Sequence, residues 1–218
     1  MPERSRIVLV DDHALIRDSL GQVLGSDPDI QVVGTATNGE EAVEITLALR
    51  PSIVLMDIHM PGISCFDAAS RIMVLRPATR IVFVTAFVSD RYIEEALRVN
   101  ARGFLTKTEP VAQLVAAVKQ VAAGKVYFSP DVRSRIVADT TGVRLASRGR
   151  TRLASLSPRE LDVLLYLARG MAKKEIAHTM HISVKTVEGH TQKLMTKLDV
   201  HDRVELARLA IREGLCLP

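Results

Sequence analysis

Arg6-Ile7-Val8-Leu9-Val10-Asp11-Asp12-His13 runs straight into Ala14–Leu24, and this join decides the fold. After Arg6, the four residues Ile7 to Val10 form an unbroken apolar run with no polar alternation, the pattern of a strand covered on both faces. The run stops at two carboxylates. Beyond them Leu15, Ile16, Leu20, Val23 and Leu24 fall on one stripe at helical spacing. The unit is therefore strand, acidic turn, helix.

The same unit recurs four times. Ile30–Thr35, Ile53–Met56, Ile81–Thr85 and Gly103–Leu105 read as strands; Glu40–Leu49, Asp67–Leu75, Asp90–Val99 and Val111–Ala123 read as helices. Asn38-Gly39 and Pro110 mark helix starts, and Pro51 and Pro77 mark stops. Fivefold alternation predicts a parallel sheet with helices on both faces. Such sheets carry their chemistry at the carboxyl ends of the strands. Asp11 and Asp12 follow strand one, Asp57 ends strand three, Thr85 ends strand four and Lys107 follows strand five. Three crowded carboxylates repel unless a cation neutralises them. A hard divalent ion with oxygen ligands, such as Mg²⁺, suits them. A metal, an ammonium and a hydroxyl around one carboxylate make a phosphoryl-transfer site.

The chain has 218 residues, 47% hydrophobic and 25% charged, ordinary for a folded protein and enough for a core. No apolar run approaches the roughly 20 residues of a membrane span. The polar start, Met1 to Arg6, lacks the features of a secretory signal. Cys65 and Cys216 make no disulfide framework, so a cytoplasmic location is expected. With no Trp and 4% aromatics, a stacking platform for single-stranded nucleic acid is excluded. Charge divides the chain. Residues 1–125 hold 13 basic and 15 acidic residues; residues 126–218 hold 16 and 10. A basic second half points to a polyanionic partner. Six arginines, at 133, 135, 144, 148, 150 and 152, lie among Gly142, Ser147, Gly149 and Thr151. This stretch reads as a helix end and a linker over 126–153, with a phosphate-contacting arm as the alternative.

Val8-Leu9-Val10-Asp11-Asp12-His13, Asp57-Ile58-His59-Met60-Pro61-Gly62, Val84-Thr85-Ala86 and Gly103-Phe104-Leu105-Thr106-Lys107 together resemble the receiver domain of bacterial two-component response regulators. The resemblance covers residues 7–123, within a receiver domain expected over 1–125. It implies a flavodoxin-like, doubly wound five-stranded parallel sheet and phosphorylation of Asp57 by a sensor histidine kinase. It further implies Mg²⁺ held directly by Asp12, Asp57 and the backbone carbonyl of His59, with Asp11 acting through a metal-bound water. Thr85 would hydrogen-bond the phosphoryl group, Lys107 would pair with it, and Phe104 would be the switch aromatic that moves with Thr85. His59 and Phe87 occupy positions that tune hydrolysis in the family. The His59 side chain is expected to face solvent, Phe87 to shield the phosphoryl group, and His13 to be a helix-start residue.

The second half reads as four helices. Ser157-Pro158-Arg159-Glu160 is a capping box opening a helix to about Arg169, ended by Gly170. Lys173–Thr179, a tight turn at Met180-His181-Ile182, and a helix from Ser183 to about Leu198 form a helix-turn-helix. Val184, Val187, Thr191, Leu194 and Leu198 make its buried stripe. Arg203–Arg212 is the fourth helix, closed by Gly214. His178, His181, His190 and His201 have no closed metal pattern with cysteines and read as surface or packing residues. Leu156–Glu160, Leu167–Gly170, Lys174–Ala177, Ile182–Val187 and Lys197–Val200 resemble the LuxR-type DNA-binding domain over about 154–216, within a domain expected over 154–218. With a receiver this is the NarL/FixJ layout. The resemblance implies double-stranded promoter DNA as partner and a homodimer when phosphorylated or DNA-bound, the last helix supplying a dimer contact. Lys185, Glu188, Gly189, Gln192 and Lys193 are the candidate base-facing residues, and Lys173 and Lys174 the candidate phosphate contacts. Glu188 stands where many relatives carry a basic residue.

The expected function is a transcription regulator whose only catalysis is its own phosphorylation and dephosphorylation. Two rival functions are open to such a site. An aspartyl phosphatase of haloacid-dehalogenase type needs a second Asp two residues after the nucleophile, and His59 stands there. A phosphorylation-independent pseudo-receiver would not need the full set of Asp11, Asp12, Asp57, Thr85 and Lys107.

Overall fold

The computed structural model describes residues 4–139, 142–146, 152–212 and Leu215. Arg148, Arg150 and the small residues around them, together with Gly214 and Cys216, lie outside the described residues. The chain forms two compact units, residues 1–88 with 93–146, and residues 147–218 with 89–92.

From Ser5 to Ala122, β1 (Ser5–Val10), β2 (Ile30–Ala36), β3 (Ile53–Asp57), β4 (Arg80–Thr85) and β5 (Gly103–Thr106) alternate with α1 (Ala14–Gly25), α2 (Gly39–Leu49), α3 (Cys65–Leu75), α4 (Asp90–Arg98) and α5 (Val111–Ala122). Every strand pairing is parallel, in the order β2-β1-β3-β4-β5, and β6 (Tyr127–Phe128) adds a sixth strand beside β5. The strand runs lack polar alternation because both faces are covered. Ile7 and Leu9, Ile53 and Leu55, Val82 and Val84 pack in one cluster with Leu24 of α1 and with Leu114, Val118 and Val121 of α5. On the other face Phe83 meets Phe66 of α3, ring centroids 5.0 Å apart. Burying each such side chain is worth roughly 1.5–3 kcal/mol. Asn38 caps α2 by accepting from the Glu41 N–H, and Ser64 caps α3 by accepting from the Phe66 N–H.

The stretch read as a bare linker begins with structure. Tyr127 donates its N–H to the Arg102 carbonyl, and Ser129 donates to Phe104. A two-residue strand is too short to show periodicity. Gly103 allows the close approach on this side, since a Cβ there would fall 2.9 Å from Val82. A one-turn helix α6 (Pro130–Arg133) follows, then an antiparallel hairpin of β7 (Ile136–Asp139) and β8 (Gly142–Leu145).

The second unit holds α7 (Pro158–Ala168), α8 (Lys173–Thr179), α9 (Val184–Leu198) and α10 (Arg203–Arg212), after a 3-10 turn at Arg152–Ser155. The capping box is present in full: Glu160 N–H donates to Ser157 Oγ and Ser157 N–H donates to the Glu160 carboxylate. That carboxylate also receives Lys197 Nζ at 2.6 Å, which ties α7 to α9. Burial alone would raise the Glu160 carboxyl, but the Lys197 ammonium and Ser157 hold it below its ordinary range. Ser183 caps α9 by accepting from the Thr186 N–H. Val187, Thr191, Leu194 and Leu198 are the buried stripe of α9, with Ile176, Leu206 and Leu209 also buried. Val184, placed on that stripe by its spacing, is exposed instead. It is the first residue of the helix, so no preceding turn covers it.

Candidate functional site

The strand order reverses direction between β1 and β3, and the crevice at such a switch point is where doubly wound sheets bind ligands. Asp11 and Asp12 leave β1 and Asp57 ends β3 at this crevice. Asp11 and Asp57 are buried, at 4% and 3% exposure, and Asp12 is half-buried. Lys107, following β5, reaches back with Nζ 2.6 Å from Asp11 Oδ2 and 2.9 Å from Asp57 Oδ2. Its own N–H donates to the Thr85 carbonyl at 2.7 Å, so backbone and side chain are fixed together. The other Asp57 oxygen accepts from the Ile58 N–H at 2.8 Å. One ammonium cannot neutralise two buried carboxylates. Burial raises the Asp57 carboxyl to about 6; Lys107 pulls it down, but Asp11 adds repulsion. Burial pulls the Lys107 ammonium down, yet its two carboxylate partners leave it raised.

A carboxyl whose folded pKa is raised holds its proton longer in the folded state, so stability falls as pH climbs from about 4 to about 6. The full difference is about 2–3 kcal/mol above pH 6. With no divalent metal, the receiver transition in calorimetry should lose stability over this window, and Asp57→Asn should remove the loss. An Asp57 carboxyl titrating near 4 by carbon NMR would refute the imbalance.

His13 was read only as a helix-start residue, and it does begin α1. It also belongs to the acidic cluster: its N–H donates to Asp11 Oδ1 at 2.9 Å and its Nδ1 lies 2.7 Å from Asp12 Oδ1. Arg17, one helical turn further on, donates to the Asp11 carbonyl at 2.7 Å. Neither residue was selected from sequence, although the i, i+4 spacing of His13 and Arg17 on the first turn of α1 carried a signal. Ligand atoms of Asp11, Asp12, His13 and Asp57 all lie within 4.8 Å of one another. His178, His181, His190 and His201 join no such group among the described residues.

His59 corrects an expectation. Its side chain is half-buried, not turned to solvent, and Nδ1 stands 3.4 Å from the Thr85 hydroxyl. A fully buried Thr85 leaves a polar atom beside the loop after β3, and the imidazole offers it a partner. The Thr85 hydroxyl donates to the Phe87 carbonyl at 3.0 Å and accepts from the Phe87 N–H at 3.1 Å. It is engaged with its own loop rather than with Asp57. Phe104, aligned with Phe83 across β4 and β5, is fully buried.

In the second unit α8, the turn and α9 form the expected helix-turn-helix. The turn closes with His181 at φ 51°, a left-handed conformation reached without glycine. Lys185, Glu188, Gly189, Gln192 and Lys193 are all exposed on α9, and Lys173 and Lys174 on α8. On the exposed face of the helix-turn-helix lies a pairing that sequence reasoning missed, since it joins two helices: Lys173 Nζ lies 3.3 Å from Glu188 Oε1.

A switch-point acidic cluster on one unit and a helix-turn-helix on the other define a signal receiver joined to a DNA-binding module. Residues 7–119 match the response regulator receiver domain, and residues 154–210 match the bacterial regulatory proteins of the luxR family. The oxygen regulatory protein NreC of Staphylococcus carnosus is 35% identical over 214 residues, 96% of this chain and 98% of that protein. A LuxR-family two-component response regulator from Aurantimonas is similar in structure, with a TM-score of 0.58 and 31% identity over 61% of this chain and 94% of that one. The receiver domain of the NarL response regulator from Mycobacterium tuberculosis has a TM-score of 0.55 and 32% identity, covering 57% of this chain and all of that one. The chain belongs to the two-component response regulators with a LuxR-type DNA-binding domain. It is a transcription regulator of the NarL/FixJ type.

Proposed function

We propose that Asp57 accepts a phosphoryl group from a sensor histidine kinase and that this controls promoter binding by α9. The observation that carries the reading is Lys107 bridging Asp11 and Asp57 in a cluster that remains one charge or more too negative. An oxygen-rich donor set with excess negative charge fits a hard divalent ion. Asp11, Asp12, Asp57 and the His59 carbonyl would hold Mg²⁺. Bound there, the ion supplies charge neutralisation at the phosphoryl oxygens.

An Asp57 carboxylate oxygen attacks phosphorus, and the phosphorus–nitrogen bond of the donor phosphohistidine breaks as the new oxygen–phosphorus bond forms. Lys107 then pairs with a phosphoryl oxygen. The Thr85 hydroxyl exchanges its Phe87 carbonyl for the phosphoryl group, and Phe104 repacks behind it. Hydrolysis returns inorganic phosphate and the free carboxylate, so the only chemistry is self-directed. Phe87, half-buried after β4, limits the access of water to that step. The pseudo-receiver reading finds no support in a site with every polar member in place.

Lys185, Gln192 and Lys193 face the DNA bases with Glu188 and Gly189, while Lys173 and Lys174 contact the backbone. No helix among the described residues is long and apolar enough to cross a membrane, and we place the protein in the cytoplasm. Phosphorylation replaces the single charge of the Asp57 carboxylate with the roughly two of a phosphoryl group, a net gain of about one negative charge, and cannot itself attract DNA. Its effect runs through a homodimer on paired half-sites. Acetyl phosphate with Mg²⁺ should raise the dimer fraction of the full chain in sedimentation. It should also tighten binding to duplexes selected from a random library by about tenfold or more. Full labelling with neither change would overturn this coupling.

A further inference from the structure

The receiver sheet carries a second charged edge, at the amino-terminal ends of its strands. Arg4 precedes β1 and Arg6 is its second residue, Arg50 precedes β3, Arg76 precedes β4 and Arg80 opens it. These five arginines line one cleft of about 350 Å³, and among the described residues no carboxylate lines it with them. Some other cations of this unit are paired: Lys107 with Asp11 and Asp57, Lys119 with Asp27 and Asp29, Arg98 with Glu95; what sets the five arginines apart is that they converge on one cleft. Among the described residues Arg4, Arg6, Arg50 and Arg76 have no ion pair. Arg80 reaches only a carbonyl, that of Ala122 at 3.4 Å. The Nε of Arg76 is screened from solvent and has no hydrogen-bond partner.

Five guanidiniums around one concavity repel one another, and a shielded donor left without an acceptor costs free energy. The fold does not demand them. The backbone here is satisfied by other groups: Ser52 N–H to the Arg6 carbonyl, Arg80 N–H to the Ser52 carbonyl, and the Thr79 hydroxyl to the Pro51 carbonyl. The arginines are therefore surplus to the architecture, and their common property is the planar fork that matches phosphate oxygens. The volume lies in the range of small-molecule sites. A convex duplex backbone does not enter a concavity of this size, and a single carboxylate would answer one arginine of the five. A compact ligand with several negative charges answers them together.

We propose that this cleft binds a small polyphosphorylated anion, the di- or triphosphate group of a free polyphosphate or of a nucleotide. The site is separate from the acceptor. The six residues of β1 put about 16 Å between the two edges of the sheet, so no phosphoryl group on Asp57 reaches it.

The test titrates the full chain with inorganic phosphate, pyrophosphate, tripolyphosphate and ATP at fixed ionic strength without divalent metal. Calorimetry gives affinity, and amide NMR locates the response. The expected result is one saturable site per chain with a Kd of about 1 mM or tighter. Affinity rises from phosphate to tripolyphosphate, and amide shifts centre on residues 50–52 and 76–80. ATP binding more tightly than tripolyphosphate identifies a nucleotide, and the reverse a free polyphosphate. Arg4→Gln with Arg50→Gln weakens binding at least tenfold while acetyl-phosphate labelling is retained. Arg76→Lys, which keeps the charge and removes the fork, weakens it as well. Asp57→Asn leaves it unchanged. Absence of saturation by about 10 mM, equal affinity in the Arg4 and Arg50 variant, or loss of binding on Lys185→Gln with Lys193→Gln would each overturn the proposal.

Discussion

Asp57→Asn abolishes Mg²⁺-dependent labelling by acetyl phosphate, lowering the rate by at least about 100-fold, because the substitution removes the nucleophile and leaves its surroundings in place. The effect is large because nothing nearby can substitute. Asp11 is as buried as Asp57 and is held in the same way, by Lys107 Nζ and the His13 N–H, so it is the place of Asp57 at the end of β3, at the centre of the cluster, that singles it out. Asp12 is flanked by the His13 imidazole at 2.7 Å. Asp57 has one oxygen held by the Ile58 N–H and the other by Lys107, so the group that would stabilise the phosphoryl oxygens is already at hand. The variant should be at least as stable as the parent above pH 6, since it removes a buried charge whose carboxyl is pushed up to about 6. Loss of labelling in a folded, stabilised variant therefore separates chemistry from unfolding. Stoichiometric label persisting in Asp57→Asn would move the acceptor elsewhere. Failure of the parent itself to label would favour the pseudo-receiver.

The residues behind this prediction were legible in sequence for a physical reason. A parallel sheet is covered on both faces, so its strands are continuous apolar runs, and a charged residue closing such a run must lie at the strand end. Asp11, Asp12, Asp57, Thr85 and Lys107 were placed at one edge by that rule alone. The rule does not fix how a loop folds over the edge. His59 was sent to solvent because the position after β3 is exposed in a bare sheet; the buried Thr85 hydroxyl draws the ring in. His13 looked like a helix start because spacing registers the backbone and not a side chain that turns back on the acids. The sixth strand and the hairpin of β7 and β8 were invisible for another reason. Two residues show no period, and four-residue strands among arginines and threonines offer little apolar contrast. In the second unit the caps announced the helices, while Lys197–Glu160 and Lys173–Glu188 join residues 37 and 15 apart, beyond any local pattern.

Glu188→Lys raises affinity for all duplex sequences, by about tenfold at low salt, and steepens the salt dependence. The structure sharpens the reason. Glu188 is exposed on α9 and lies 3.3 Å from Lys173, so it acts twice against the phosphates: it repels them, and it occupies an ammonium that would otherwise meet them. The pair is solvent-exposed and worth no more than about 1 kcal/mol, so DNA competes for Lys173 readily, but the carboxylate remains. Substitution by lysine removes that carboxylate, frees Lys173 and adds a cation. Up to two extra phosphate contacts steepen the slope of log K against log salt by about 1–2. Gly189, next along the helix, leaves room for the approach, since a Cβ there would meet nothing within 4 Å. A mid-helix glycine with no packing role costs about 1 kcal/mol in helix stability. Glu188→Gln supplies the control: it removes the repulsion without adding charge and should give a smaller rise. If Glu188 instead accepts from a cytosine amino group, both variants lose about 1–3 kcal/mol at one base-pair position and leave the others unchanged. Binding to a panel of duplex variants at two salt concentrations distinguishes a uniform gain from a local loss. An unchanged affinity, salt slope and base preference would remove Glu188 from the DNA-facing surface, and with it the placement of α9 in the groove.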